Sequence, residues 1–307
     1  CHALDWRLNV KFVPPVQSVF RGALYLAAAA CCYAITGVLV RLVSSQLDNS
    51  ALVFWRNLVG LLFLLPWLFQ VLVQHKGFSA LHTNMMRWHL ARTAVGLTAM
   101  YLYFYSLAHF ALADAMLFVY SAPVIVPLLA HWFLGEPITT KIYAVVLLGL
   151  AGVILVLKPG GEHFYWMAPV GLSCTLFTAF AFVFVRKLSV SEPPMRVVFY
   201  FTLFSAIVSL LPFLFHPQWP DARGWLLLAG IGGVNTLAQW FLSLAYGSAP
   251  AARIAPVSYL TVLLAALLGW LLWDEVPDHY AIGGAVLIFA SALLVMKQGF
   301  ASTAPDG

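Results

Sequence analysis

The residues of this sequence that could do chemistry are polar side chains set inside long apolar stretches. Arg92 is the strongest candidate, because helical spacing places Gly96 and Tyr103 on its face of a predicted helix. A guanidinium group held there could bind a carboxylate, a phosphate or an electron-rich ring. The alternative is an anchor, in which the long arginine side chain reaches out of the apolar region to lipid headgroups.

A second set of candidates follows one face of a later predicted helix. Spacings of 4, 3 and 4 residues place on that face Asn235, Gln239, Leu242 and Tyr246. Amide side chains among apolar residues need hydrogen-bond partners, which either a neighbouring helix or a bound ligand can supply. The face is therefore either a helix contact or the wall of a binding cavity.

Three further residues complete the set of candidate binding residues. Arg56 lies about five residues into a predicted helix, where it is again either an anchor or a ligand-binding cation. Ser121 shares a helix face with Phe118, and Tyr259 lies beside the face that carries Thr261. Aromatic residues at helical spacing usually pack against neighbours, but some of them must line any cavity in a chain this rich in aromatic side chains.

The composition predicts that the chain is embedded in a membrane. Hydrophobic residues make up 63% of the sequence and charged residues 9%, compared with about 45–50% and about 25% in soluble domains. The net charge of +5 has no basic run behind it, so nucleic acid is a poor partner. The sequence also has no ATP-binding glycine loop, no metal-ligand spacing and no disulfide framework, and we assign no cofactor and no metal.

Clusters of polar residues, Gly and Pro divide the chain into ten apolar segments. Each is predicted to be a membrane-spanning helix, at about 21–43, 51–73, 88–108, 112–134, 139–157, 165–186, 196–215, 224–246, 252–273 and 279–296. If both termini are cytoplasmic, the inside collects eleven basic residues, namely Arg7, Lys11, Arg21, Lys76, Arg87, Lys141, Arg186, Lys187, Arg196, Arg253 and Lys297. The outside then collects only Arg41, Lys158 and Arg223, and this excess of basic residues inside predicts the orientation.

Two similar sequence segments predict an internal duplication. Residues 131–138 read HWFLGEPI and residues 270–277 read WLLWDEVP, with Glu136 and Glu275 separated by 139 residues. Each glutamate is followed 22 residues later by a lysine, Lys158 and Lys297. Because each half holds five predicted helices, the second half must enter the membrane from the opposite side. We therefore expect inverted repeats, with the substrate site near the midplane.

Carboxylates are absent from the predicted midplane, since all eleven acidic residues fall in tails, loops or span ends. Proton coupling through a buried Asp or Glu is therefore disfavoured, and uniport or exchange is the preferred mechanism. Glu136 is interpreted mainly as a charge that favours the N-terminus of the helix that follows it, with a gating contact as the alternative.

The residues resemble the EamA-type branch of the drug/metabolite transporter superfamily, from about residue 22 to residue 297. The resemblance rests on RTAVGLTAMYLYFYSLAHFALADAMLFVYSAPVIVPLLAHWFLGEPI, LLGLAGVILVLKPG and LAYGSAPAARIAPVSYLTVLLAALLGWLLWDEVP. It implies a cavity lined mainly by helices 3, 4, 8 and 9 and the transport of small organic solutes, such as amino acids, nucleoside cofactors, flavins or cationic drugs. The second repeat has Val262 where the first has Pro123, a position at which that family often repeats the proline.

The sequence therefore predicts an all-α membrane protein of ten transmembrane helices in two inverted five-helix repeats. The predicted units are a cytoplasmic tail at 1–20, repeats at 21–158 and 159–297, and a second cytoplasmic tail at 298–307. We expect a transporter of the bacterial inner membrane rather than an enzyme, with a small-molecule substrate and membrane lipids as partners. The open alternatives are a scaffold without transport activity, an intramembrane lipid-modifying enzyme and a homodimer.

Overall fold

The computed structural model describes residues 18–74, 81–109, 118–157, 164–274, 276 and 278–301, and every regular element within them is helical. We number the main helices in chain order as α1 Val19–Val43, α2 Asn49–Gln74, α3 Met86–His109, α4 Ala122–Leu134, α5 Thr140–Leu157, α6 Phe164–Ser189, α7 Pro194–Phe215, α8 Ala222–Ser248, α9 Ala251–Trp273 and α10 His279–Ala301. The all-helical fold is confirmed. The predicted segment at 112–134 starts outside the described residues.

Length and apolar composition make the described part of the chain a membrane protein. Seven of its helices are long and apolar enough to cross a membrane, and two shorter apolar helices, Phe118–Leu134 and His279–Val295, accompany them. Helix α3 is 24 residues long but carries Arg87, His89 and Arg92, and it lies outside those seven. The least apolar of the long helices is thus the one that carries the strongest candidate residue.

The two repeated segments, 131–138 and 270–277, end two helices in the same way. Gly135 follows α4 with a φ angle of 70°, and Asp274 follows α9 with a φ angle of 56°. Both residues take the left-handed conformation that closes the last turn of a helix, a role that glycine usually fills and aspartate tolerates. The second segment therefore has the same left-handed turn, with Asp274 in place of the glycine.

Helices α5 and α10 touch backbone to backbone. A Cβ atom added at Gly152 would lie 2.7 Å from the carbonyl oxygen of Gly284, and one added at Gly284 would meet the carbonyl oxygen of Gly152 at 2.5 Å. The hydroxyl group of Ser291 donates a hydrogen bond of 2.9 Å to the carbonyl oxygen of Val145 across the same contact. Small residues allow this approach, which is how helices gain contact area where lipid offers no hydrophobic drive.

Helix α9 does not begin as a regular helix. One α-helical turn at Ala251–Ile254 leads into a 3-10 segment at Ala255–Tyr259, and α-helical geometry resumes over Leu260–Trp273. Pro256 lies at the start of the 3-10 segment, where its missing N–H group is least needed.

A buried ion pair ties the start of α9 to three other parts of the chain. The Glu136 carboxylate, in the loop after α4, accepts a hydrogen bond of 3.0 Å from Arg186 Nε and bonds of 3.2 Å from the N–H groups of Ala251 and Ala252. Arg186 Nη1, at the end of α6, donates at 2.7 Å to the carbonyl oxygen of Tyr246 in the last turn of α8. The negative group thus lies at a helix N-terminus and the positive group near a helix C-terminus, the favourable arrangement for both.

The Glu136 carboxylate therefore stabilises a helix N-terminus, but not that of the helix that follows it. The sequence predicts that it acts on α5, but in the first turn of α5 the N–H group of Ile142 donates a hydrogen bond to Thr139 Oγ1 instead. The partner helix, α9, begins 115 residues further along the chain. Local sequence context indicated the type of interaction, whereas the fold determined its partner.

Replacing Gly152 by leucine should push α5 and α10 apart. We expect Gly152→Leu to lower the free energy of unfolding by about 1–3 kcal/mol, because the new side chain meets the backbone of Gly284. Gly283→Leu is the matched control, since a Cβ atom at Gly283 meets nothing within 4 Å. Thermal unfolding in detergent would measure both, and equal midpoints would show that the contact is not tight.

Removing one charge of the buried pair should cost more than removing both. Glu136→Gln leaves the Arg186 guanidinium buried without its counter-charge, and we expect a loss of about 3 kcal/mol. The double variant Glu136→Gln, Arg186→Met should be less destabilised than the sum of the two single variants, because neither charge is then left alone. Additive effects in this double-mutant cycle would rule out direct coupling.

Candidate functional site

The Arg92 side chain points into the protein and not toward the lipid headgroups. It is 4% exposed, and its Nη2 donates a hydrogen bond of 3.1 Å to Oε1 of Gln239 on α8. The guanidinium carbon lies 3.9 Å from the ring centre of Phe201 on α7. Its Nε and Nη1 atoms are buried and have no hydrogen-bond partner. Residues on three helices thus hold a cation whose donors are only partly satisfied.

Gly96 is what allows this position of the guanidinium. A Cβ atom added at Gly96 would collide with Arg92 Nη1 and lie 3.1 Å from the ring of Phe201. The arginine side chain therefore folds back over the next turn of its own helix, into space that any larger residue would fill. The shared helix face predicted for Arg92 and Gly96 is thus a direct contact.

A second arginine and a tyrosine belong to the same region. Arg56 on α2 is partly buried, and its Nε atom has no hydrogen-bond partner. Tyr33 on α1 lies within electrostatic range of both Arg56 and Arg92, and the two guanidinium groups lie within range of each other. Among the described residues no carboxylate forms an ion pair with either arginine. The region therefore carries excess positive charge.

The polar stripe of α8 divides into two parts. Asn235 is buried, and its side chain forms no hydrogen bond with the described residues, whereas Gln239 binds Arg92. Leu242 and Tyr246, further along the stripe, are fully enclosed in an apolar cluster that joins α1, α4, α6 and α8. Asn235 and Gln239 of the stripe therefore lie at the candidate site, and Leu242 and Tyr246 pack in the core.

Aromatic residues of α3 and of the segment just before α4 extend the region. Tyr103 and Tyr120 are partly buried and lie within electrostatic range of each other, and Tyr120 also lies beside Thr261 of α9. Tyr120 is within range of Tyr33, which connects these rings to the two arginines. Ser121 follows Tyr120 directly and is the residue that precedes α4.

Tyr259 lies in an apolar cluster against which Tyr120 packs. Its ring is fully buried, packs onto Gly149 of α5, and shares an apolar cluster with Val153 and Ile288. The structure brings several of the predicted candidates together. Arg92 and Gln239 are in contact, Arg56 lies within electrostatic range of Arg92, and Asn235 lies one turn from Gln239 on α8. Tyr103 and Ser121 both lie beside Tyr120. Tyr259 packs α5 against α10.

Sequence reasoning missed Tyr33 and Phe201. Tyr33 is the only large polar side chain in the run AAAACCYAITG, and that contrast is the signal that could have found it. Phe201 is one of 23 phenylalanines, and nothing in its sequence context distinguishes it from the others.

Named relatives that cover most of the chain are bacterial transporters. A pseudopaline exporter of Pseudomonas aeruginosa is 32% identical over 90% of this chain and 96% of its own length. A riboflavin transporter of Vibrio cholerae is 25% identical over 91% of this chain and 94% of its own length. An S-adenosylmethionine uptake transporter of Rickettsia felis is 25% identical over 84% and 86%. These relatives confirm a transporter, not an enzyme, in the bacterial inner membrane.

A solved crystal structure shares the fold. It matches with a TM-score of 0.77 over 91% of this chain and 98% of its own, at 18% identity, and a likeness at that identity shows the fold alone. The profile of the EamA-like transporter family matches two stretches, residues 20–158 and 165–297, which together cover almost the whole chain. The chain therefore belongs to the EamA-like transporter family, as the sequence resemblance predicted.

Proposed function

We propose that this protein is a secondary transporter that moves a small organic solute by alternating access, through uniport or exchange. Ten helices form two inverted five-helix repeats, at 21–158 and 159–297, between cytoplasmic tails at 1–20 and 298–307. The solute site lies between the repeats, where Arg92, Arg56 and Gln239 face a shared region.

The packing of the helices supports the inverted repeat. In such a repeat, helix α1 corresponds to α6, α2 to α7 and α3 to α8. The extensive contact between α1 and α8 therefore has a counterpart in the contact between α6 and α3, which is also extensive. Exchanging the two repeats turns the contact of α5 with α10 into the contact of α10 with α5, which is the same contact, and it does the same for α2 and α7. Contacts across a two-fold axis behave in this way. The same family profile matches both halves, and Gly135 and Asp274, 139 residues apart, share one backbone conformation.

The unsatisfied donors of Arg92 carry the proposal for the solute. Buried N–H groups without partners are costly, and a carboxylate or phosphate would offer them charged acceptor oxygens. Arg56 adds positive charge, and aromatic side chains such as Phe201 and Tyr103 give the region an apolar part. We therefore propose a solute that carries an acidic group and a partly apolar body, such as an amino acid, a flavin or a nucleoside cofactor with an acidic group.

The relatives do not select one solute. Their names refer to pseudopaline, riboflavin and S-adenosylmethionine, and to both export and uptake. A scaffold without transport activity remains the rival, because binding and flux are separate properties. Saturable counterflow in proteoliposomes would separate the two readings, since a scaffold supports no flux.

Replacing Arg92 should remove solute binding and leave the fold intact. We expect Arg92→Gln to weaken binding about 10- to 100-fold, because a charge-assisted pair is replaced by a neutral hydrogen bond. A thermal-shift screen of the detergent-purified protein would measure this with aromatic amino acids, S-adenosylmethionine, riboflavin, nucleotides and quaternary amines, since a ligand of the folded state raises the unfolding midpoint. Arg223→Gln is the matched control, because Arg223 is exposed. Equal stabilisation of wild type and Arg92→Gln by one ligand would contradict the assignment.

Displacing the Arg92 guanidinium should weaken binding without removing its charge. Gly96→Ala places a methyl group where Arg92 Nη1 lies, so we expect a loss of binding severalfold or more while the net charge is unchanged. Gly37→Ala is the control, because a Cβ atom at Gly37 meets nothing within 4 Å. The same thermal-shift titration applies, and unchanged affinity in Gly96→Ala would show that the position of the guanidinium does not matter.

A further inference from the structure

His89 is a titratable side chain that the proposed transport cycle does not yet use. It lies on α3, one helical turn before Arg92, and is 1% exposed. Both ring nitrogen atoms are buried and have no hydrogen-bond partner. Its Nε2 atom lies 3.9 Å from Oε2 of Glu192, which is close enough for an ion pair but too far for a hydrogen bond. A neutral imidazole in this place leaves a donor and an acceptor unsatisfied.

Glu192 is held in its charged form beside this imidazole. It lies in the short loop before α7, is 3% exposed, and receives hydrogen bonds from Thr83 Oγ1 at 2.5 Å and from Arg196 Nη1 at 2.9 Å. Burial raises the pKa of the Glu192 carboxyl group, but interactions with His89, Thr83 and Arg196 outweigh burial and hold the pKa below its ordinary value. The Glu192 carboxylate therefore carries its negative charge beside His89 at neutral pH.

Among the residues that the structure describes, the charged and titratable groups near His89 can each be assigned to an element. Glu192 and Thr83 approach from loops, and α7 supplies Arg196 and the ring of Tyr200, whose centre lies 4.6 Å from that of His89. On α3 itself, Arg92 is one turn away. From the end of α6, Lys187 reaches the ring of Trp88 at 5.7 Å, and the residues of α2 that pack around Tyr200, Leu64 and Trp67, are apolar.

We propose that His89 is a proton-binding site coupled to the solute site at Arg92. This inference rests on the proposed function. An imidazolium at His89 gains the Glu192 carboxylate, but it adds a second positive charge to the helix that carries Arg92, whose guanidinium lies over the following turn at Gly96, and two positive charges in this buried region repel each other. An acidic group bound to Arg92 removes that repulsion, so the solute and the proton favour each other's binding. By linkage, each raises the affinity for the other by the same factor.

Two adjacent aromatic contacts connect α7 to both positions. Tyr200 packs on His89 and its chain neighbour Phe201 packs on Arg92, so α7 touches both charged positions through consecutive residues. The loaded protein then holds one proton more than the empty protein. Exchange of two solutes is compatible with this, because the incoming and the outgoing solute load the same site.

The coupling can be tested without any solute, because Arg92→Gln removes the same positive charge that a bound anion would neutralise. We would follow the histidine ring signals of labelled, detergent-purified protein by NMR between pH 5 and pH 8.5, and assign His89 as the signal that is missing in His89→Gln. The expected result is a His89 titration midpoint at higher pH in Arg92→Gln, by about threefold or more in proton affinity. Arg223→Gln should leave the midpoint unchanged, and Glu192→Gln should lower it.

A second experiment uses sodium benzoate, whose carboxylate stays charged over this pH range. Addition of benzoate in weakly buffered solution should draw protons onto the wild type and not onto His89→Gln, as a pH-indicator dye would show. Stabilisation by benzoate without proton uptake would overturn the coupling and leave the solute site standing. Absence of any benzoate effect would count against the solute site alone, because the solute-free titration decides the coupling independently. A His89 midpoint that is unchanged in Arg92→Gln, or the absence of titration, would overturn the inference.

Discussion

Burial of a guanidinium group away from water is the constraint on which the rest of this structure depends. The protein meets that constraint in two ways. Arg186 is matched by the Glu136 carboxylate and by the carbonyl oxygen of Tyr246, so its charge serves to join four segments of the chain. Arg92 is given only Gln239 and the face of Phe201, and two of its nitrogen atoms stay without partners. A satisfied cation builds the scaffold, and an unsatisfied cation makes a site that a ligand can complete.

The scaffold and the site also differ in how closely their helices approach. Contacts between α5 and α10 are made by backbone against backbone at Gly152 and Gly284, which leaves no room for adjustment. Around Arg92, long side chains and aromatic rings separate the helices, and such side chains can reorient without a change in the backbone. Rearrangement of side chains would therefore cost least around Arg92, whereas the close contact of Gly152 with Gly284 leaves the helices no such freedom.

Much of this organisation could be predicted from the sequence, because it depends on local patterns. Apolar length predicted the helices, and helical spacing placed Gly96 beside Arg92 and predicted the face that carries Gln239. What could not be predicted depends on contacts between distant parts of the chain. Arg186 and Glu136 are 50 residues apart, and Arg92 and Gln239 are 147 residues apart. Periodicity says which way a side chain points on its helix and nothing about what it meets, so the packing of Tyr259 on Gly149 could not be predicted, and Tyr33 was overlooked.

The contact pattern described for α1 and α5 has a consequence for how the protein is made. Helix α1 packs most extensively on α8, and α5 packs most extensively on α10, so each finds its main partner in the other half of the chain. Synthesis runs from the N-terminus, and the first half is therefore inserted while the surfaces at Gly22, Gly149 and Gly152 still face lipid. The N-terminal half therefore lacks the main partners of α1 and α5 until the helices of the second half are made. A premature stop before His279 would remove α10 and leave α5 without its main partner, a product that membrane quality control would be expected to remove.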